Sequence, residues 1–166
     1  VVCRRQRQMC IRDRVLTAPG KGEVKNIVSG INTADMKETD RVLAAGSCTT
    51  NAIVPVLKAM NDHYGIEYGH METVHAYTND QNLIDNYHGK NRRGRGAPLN
   101  MVITETGASS AVVKLLPELD GKLTGNAIRV PTPNVSLAIL NLTLEKTVNE
   151  DEAVSYTHLT LPTTYH

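Results

Sequence analysis

One stretch constrains the fold of this chain more than any other. Ser47 to Asn51 supply side chains that cap a helix, and apolar residues follow at Ile53, Val56, Leu57 and Met60 with helical spacing. Gly65 ends that run, and IEYGHMETVHAYT begins at once with the composition of a long strand. Pro55 is expected in the first turns of this helix, where its missing N–H costs least.

Around this unit, VLTAP from Val15, NIVSGIN from Asn26 and RVLAAGS from Arg41 read as short strands. Residues 80–98 are polar, with Gly89, Gly94, Gly96 and Pro98, and read as a long ordered loop. Ala108 to Leu116 reads as a second helix stopped near Pro117. LTGNAIRVP and VSLAILNLTLEK read as long strands suited to a sheet covered on one face. The class expected is α+β, a mixed, largely antiparallel sheet with helices on one face.

The two ends belong to a different argument. RRQRQMCIRD, residues 4–13, can be encoded by DNA whose reverse complement encodes VSYTHLTLPT, residues 154–163. One short DNA read on opposite strands explains both, as a sequencing adapter translated through would. Residues 1–14 and 154–166 are therefore set aside as non-native flanks.

Setting them aside changes the charge and the cysteine count. The chain holds 18 basic and 17 acidic residues, and the N-terminal flank alone holds five arginines against Asp13. Without the flanks, 13 basic residues face 16 acidic ones, so no nucleic-acid footprint remains. Cys3 and Cys10 fall in the flank, which leaves Cys48. One thiol builds neither a disulfide framework nor a cysteine-rich metal site, and it fits a reducing, cytoplasmic setting. No signal peptide and no apolar run of membrane-spanning length is read.

Ser47-Cys48-Thr49-Thr50-Asn51 carries the sharpest chemistry. A helix N-terminus offers free N–H groups and partial positive charge, which favour the thiolate of a cysteine placed there. The plain alternative is a small buried cysteine acting as a hydrophobe, but hydroxyl neighbours argue against it. His75, on the strand that follows, is a candidate base for that thiol. Spacing alone does not choose it over a hydrogen-bonded core histidine.

A resemblance to a known family makes the choice. SCTTN at 47–51, TVHAYT at 73–78, RRGRGAP at 92–98, TGAS at 106–109 and PELDGKLTGNAIRVPTPNVS at 117–136 resemble the glyceraldehyde-3-phosphate dehydrogenases. TAP at 17–19 and GIN at 30–32 match as well, so the resemblance covers nearly all of residues 15–153. It implies the catalytic domain of a two-domain dehydrogenase, 48–153, preceded by the tail end of a dinucleotide-binding domain, 15–47. No strand–GxGxxG–helix unit is present, so most of that Rossmann domain is missing.

The resemblance also implies roles. Cys48 is the nucleophile and His75 its base. Thr78 and Arg129 hold the substrate phosphate. Ser47, Thr49, Thr106 and Gly107 hold the attacking inorganic phosphate, and Thr17 lies near the nicotinamide of NAD, with NADP also open. The 80–98 loop packs against the cofactor and a neighbouring subunit of a homotetramer. The implied reaction is phosphorylating oxidation of glyceraldehyde 3-phosphate through a cysteine thioester; no metal, nucleic acid or membrane is implied. Two other readings stand beside it. The Asp80-Gln81 pair resembles the related erythrose-4-phosphate dehydrogenases. A non-catalytic oligomerisation or binding module would use the sheet as an interface and leave Cys48 unreactive. Without the resemblance, the plainer readings stand ahead: Arg129 as a surface ion pair, Thr106-Gly107 as a turn before a helix, and the Arg92-Arg93-Arg95 cluster as a solvated loop or intersubunit contacts.

Overall fold

The computed structural model describes residues 14–148. Both outer flanks lie outside the described residues apart from Arg14, which is the first residue of β1. Two sheets are present. The first is three-stranded and wholly parallel, in the order β1 (Arg14–Leu16), β3 (Val42–Ala44), β2 (Lys25–Asn26). The second has the order β5 (Val102–Glu105), β6 (Leu123–Val130), β4 (Ile66–Ala76), β7 (Ser136–Leu144). Its β4–β6 ladder is parallel, and its β4–β7 and β5–β6 ladders are antiparallel. Helices α1 (Cys48–Tyr64) and α2 (Ala108–Val113) complete the α+β class expected from the sequence.

The core forms between these helices and the four-stranded sheet. Ile53, Val54 and Leu57 of α1 pack with Ile66 and Met71 of β4 and with Val112, Leu116 and Leu119. Leu140, Leu142 and Leu144 of β7 close the cluster from the same sheet face. The buried stripe of α1 is Thr50, Ile53, Val54 and Leu57, a spacing of three, four and seven. Val56, expected inside, is 48% exposed, and Val54 takes the inward position instead. Pro55 is the eighth residue of α1, beyond the first turns. It is tolerated because it lies on the exposed side.

α1 meets β4 through Gly65 alone. Its φ of 71° is left-handed, and a Cβ there would come within 2.6 Å of Glu145 Oε2. The joint is tied to β7 by Glu145 N–H donating to Gly65 O at 3.0 Å and Lys146 N–H donating to Tyr64 O at 3.1 Å.

Several expected boundaries move. NIVSGIN contributes only Asn26 to a strand. Asn32 turns the chain back, accepting from Val28 N–H at 2.8 Å and donating to Asn26 O at 3.0 Å. RVLAAGS is strand over Val42–Ala44 and breaks before Gly46, whose φ is 74°. The second helix ends at Val113 rather than Leu116, because Leu116 precedes Pro117 and takes an extended φ of −129°. β5 was not expected. It is a four-residue edge strand, and its inward residues are only Val102 and Thr104.

Candidate active site

Ser47 is the N-cap of α1. Its Oγ accepts from Thr50 N–H at 3.0 Å and lies 2.7 Å from Thr50 Oγ1. Asn51 Nδ2 donates back to Ala45 O at 2.6 Å and to Ser47 O at 2.8 Å, fixing the approach to the helix. Cys48, the first helical residue, is thereby held exposed at the N-terminus of a seventeen-residue helix.

β4 carries the imidazole to it. Cys48 Sγ and His75 Nε2 are 3.5 Å apart, and Thr49 Oγ1 is 4.0 Å from the sulfur. His75 and Arg129 are direct partners on the parallel β4–β6 ladder, so they share a sheet face. Arg129 Nη1 lies 2.8 Å from His75 Nδ1 and 3.0 Å from Ala76 O. His75 Nδ1 is also 2.7 Å from Ala76 O.

These groups open into one cavity of about 460 Å³, walled also by Ser47, Thr49, Thr78, Thr106 and Gly107. The structure thus brings together Cys48, His75 and all six residues expected around phosphate. Thr17 is not among them. β1 ends at Leu16, and after the bend that follows it is Pro19 and Gly20 that reach the cavity wall.

The electrostatics centre on Arg129. It has no carboxylate partner among the described residues, and its Nε is buried without a hydrogen bond. Burial pushes the guanidinium below its ordinary range, Arg93 adds to that, and Cys48 opposes it. Arg93 itself is neutralised by Asp80 and donates to Glu105 O at 3.2 Å. A half-buried cation without a counter-charge is costly unless an anion visits it.

Two contributors were not legible beforehand. Gln81 is buried and holds Thr78, with Oε1 accepting from Thr78 N–H at 2.8 Å and from its hydroxyl at 3.1 Å. Arg93 stands behind Arg129, and its loop position gave no sign of which arginine of the cluster turns inward. The described residues contain no cluster of side chains suited to a metal ion, and no helix long and apolar enough to cross a membrane.

An α+β domain with a helix-start thiol against a strand imidazole, above a cavity holding an uncompensated guanidinium, defines a narrow class of protein. Residues 47–160 match the family described as glyceraldehyde 3-phosphate dehydrogenase, C-terminal domain. The chain belongs to the glyceraldehyde 3-phosphate dehydrogenase family. It is 70% identical over 142 residues to a glyceraldehyde-3-phosphate dehydrogenase-like protein of Pseudomonas aeruginosa (strain UCBPP-PA14), covering 86% of this chain and 31% of that one. It is 45% identical over 140 residues to glyceraldehyde-3-phosphate dehydrogenase of Clostridium pasteurianum, covering 83% and 42%. For that of Borreliella burgdorferi the identity is 46% over 132 residues, covering 80% and 39%. The chain therefore spans less than half the length of these relatives.

Proposed function

We propose that this segment, within its full-length protein, carries the chemistry of phosphorylating oxidation of glyceraldehyde 3-phosphate to 1,3-bisphosphoglycerate. The observation that supports this most is the 3.5 Å approach of Cys48 Sγ to His75 Nε2 beside the cavity that holds Arg129. His75 takes the thiol proton, and the sulfur adds to the aldehyde carbon to give a thiohemiacetal. His75 then holds the hydroxyl proton as that carbon is oxidised to an acyl thioester. Inorganic phosphate attacks the thioester carbon, and Cys48 leaves as thiolate.

The hydroxyls and the guanidinium divide two anions between them. Thr78 and Arg129 grip the substrate phosphate, and Ser47, Thr49, Thr106 and Gly107 orient the attacking phosphate. When bound, a nicotinamide cofactor, NAD or NADP, supplies the hydride acceptor. The cavity has room for its reacting ring beside Cys48, where its wall is made by Pro19, Gly20 and the β2 residue Asn26. On the same reading, 15–47 end a dinucleotide-binding domain, 48–153 form the catalytic domain, and the full-length protein is a cytoplasmic homotetramer.

Iodoacetamide tests the nucleophile. In the full-length protein, one label on Cys48 per subunit abolishes turnover, and Cys48→Ser keeps the fold while losing nearly all activity. Near-normal turnover by Cys48→Ser would leave the non-catalytic reading in its place.

A further inference from the structure

His75 Nδ1 lies between two groups that demand opposite protonation of it. Arg129 Nη1, at 2.8 Å, can only donate. The Ala76 carbonyl oxygen, at 2.7 Å, can only accept. Arg129 Nη1 also reaches Ala76 O at 3.0 Å, so it satisfies that oxygen when the ring does not. Two arrangements are consistent with these distances. In one, Nδ1 accepts from Arg129 and the neutral ring carries its proton on Nε2, facing Cys48. That ring has no lone pair to receive the Cys48 proton. In the other, Nδ1–H donates to Ala76 O and Nε2 presents its lone pair to the thiol. Only the second is a base for Cys48.

We propose that Arg129 is a positioning residue for His75 as well as a partner of the substrate anion. In the anion-free cavity it holds the Nε2–H tautomer. A phosphate-bearing ligand draws the guanidinium off Nδ1 and releases the Nδ1–H tautomer. The inference rests on the proposed function and deepens it, because it makes occupation of the phosphate site the event that arms the base.

The surroundings favour this division. Arg129 has no carboxylate partner among the described residues, and its Nε is buried without a bond, so an entering anion competes with no ion pair. Arg93 is anchored by Asp80 and Glu105 O, so the cation behind Arg129 is already committed. Among the described residues, the charged or titratable side chains within hydrogen-bond reach of His75 are Cys48 from α1 and Arg129 from β6, and its β7 partner Ser136 is neutral.

The protons balance. The tautomer change gives the Nε2 proton to water and takes one from water at Nδ1. In the armed state the Cys48 S–H bond breaks, its proton goes to Nε2 and the electron pair stays on sulfur. The resulting imidazolium keeps Nδ1–H on Ala76 O.

Nitrogen-15 NMR of labelled histidine in the full-length protein tests this without measuring turnover. In phosphate-free buffer, with His75 neutral, its Nδ1 resonance is expected to be pyridine-type and its Nε2 pyrrole-type. Inorganic phosphate, at a concentration that fills the Arg129 anion site as well as its own, exchanges the two identities. Arg129→Leu shows the exchanged pattern with or without phosphate. An Nδ1–H ring in the phosphate-free wild type, or an Nε2–H ring unchanged at that phosphate concentration, overturns the proposal. The phosphate titration needs no variant, so a misfolded Arg129→Leu does not weaken it. A Cys48→Ser protein that kept its turnover would defeat the catalytic reading while leaving this tautomer result in place, so the two failures are distinguishable.

Discussion

Gln81 Oε1 accepts two hydrogen bonds from the single residue Thr78, at 2.8 Å from its backbone nitrogen and 3.1 Å from its hydroxyl. Gln81 is only 5% exposed, and its Nε2 is buried without a partner. The side chain therefore fixes the first turn of the 80–98 loop and the orientation of Thr78 together. In the full-length protein, Gln81→Leu is expected to raise KM for a phosphorylated aldehyde by about five- to tenfold, the worth of one or two neutral hydrogen bonds. An unphosphorylated aldehyde should show little change. Equal effects on both would remove Gln81 from the positioning of Thr78.

Arg129→Leu should separate the same two substrates more strongly. A charge-assisted contact to phosphate is worth roughly 1.5–3 kcal/mol, or about ten- to a hundredfold in kcat/KM. The comparison of phosphorylated with unphosphorylated aldehyde is the measurement, and parallel losses would place Arg129 outside the anion site.

Ser47→Ala deletes the cap of α1. The lost bond to Thr50 N–H is expected to cost about 1 kcal/mol of stability in urea unfolding, and Ser47→Gly a few tenths. A Ser47→Ala variant as stable as wild type would mean that the cap adds nothing to the fold.

Asp40 offers a pH-dependent test on the other sheet. The hydrogen bond from Lys25 Nζ, at 2.7 Å, and a second from Lys37 N–H hold its carboxyl below the usual carboxylate range. A carboxyl depressed in the folded state stabilises fully above its unfolded value of about 3.9, and that contribution is lost as pH falls through the folded value. Asp40→Asn should therefore lower the urea midpoint near neutral pH, with the gap to wild type closing at more acid pH. A gap that persisted below both values would assign the effect to packing.

Leu57 tests the core that backs the site. It is fully buried between α1 and the sheet. Leu57→Ala is expected to cost about 2–5 kcal/mol, and a smaller loss would mean that the cavity collapses.

Cys48 at a helix start was legible because that chemistry is local, whereas His75 as its partner and the six residues proposed around phosphate came from the family resemblance. The cap residues, Cys48 and the strand carrying His75 lie in one continuous stretch, and helical and strand periods reveal their supports. What escaped depends on partners distant in sequence. β5 is too short to show a period, and only its pairing with β6 makes it a strand. Val54 and Val56 have equal hydrophobicity, and the sheet beneath decides which one faces inward. Gln81 reads as one polar loop residue among many until its contact with Thr78 is known. Thr17 was placed by a motif match alone, and the wall of the Cys48 cavity is reached by Pro19 and Gly20 instead.

The joint at Gly65 has a consequence for how such a domain can change. One residue separates the helix that presents the thiol from the strand that presents the imidazole, and β6 brings the guanidinium by an unbroken eight-residue register. Cys48, His75 and Arg129 thus hang on ladder and joint, while residues 77–101 leave the sheet after β4 and return to it at β5. Lengthening or exchanging that segment can retune which molecule is admitted without resetting the spacing of sulfur and imidazole. Inserting a single residue at Gly65 would unseat the thiol from the imidazole in one step.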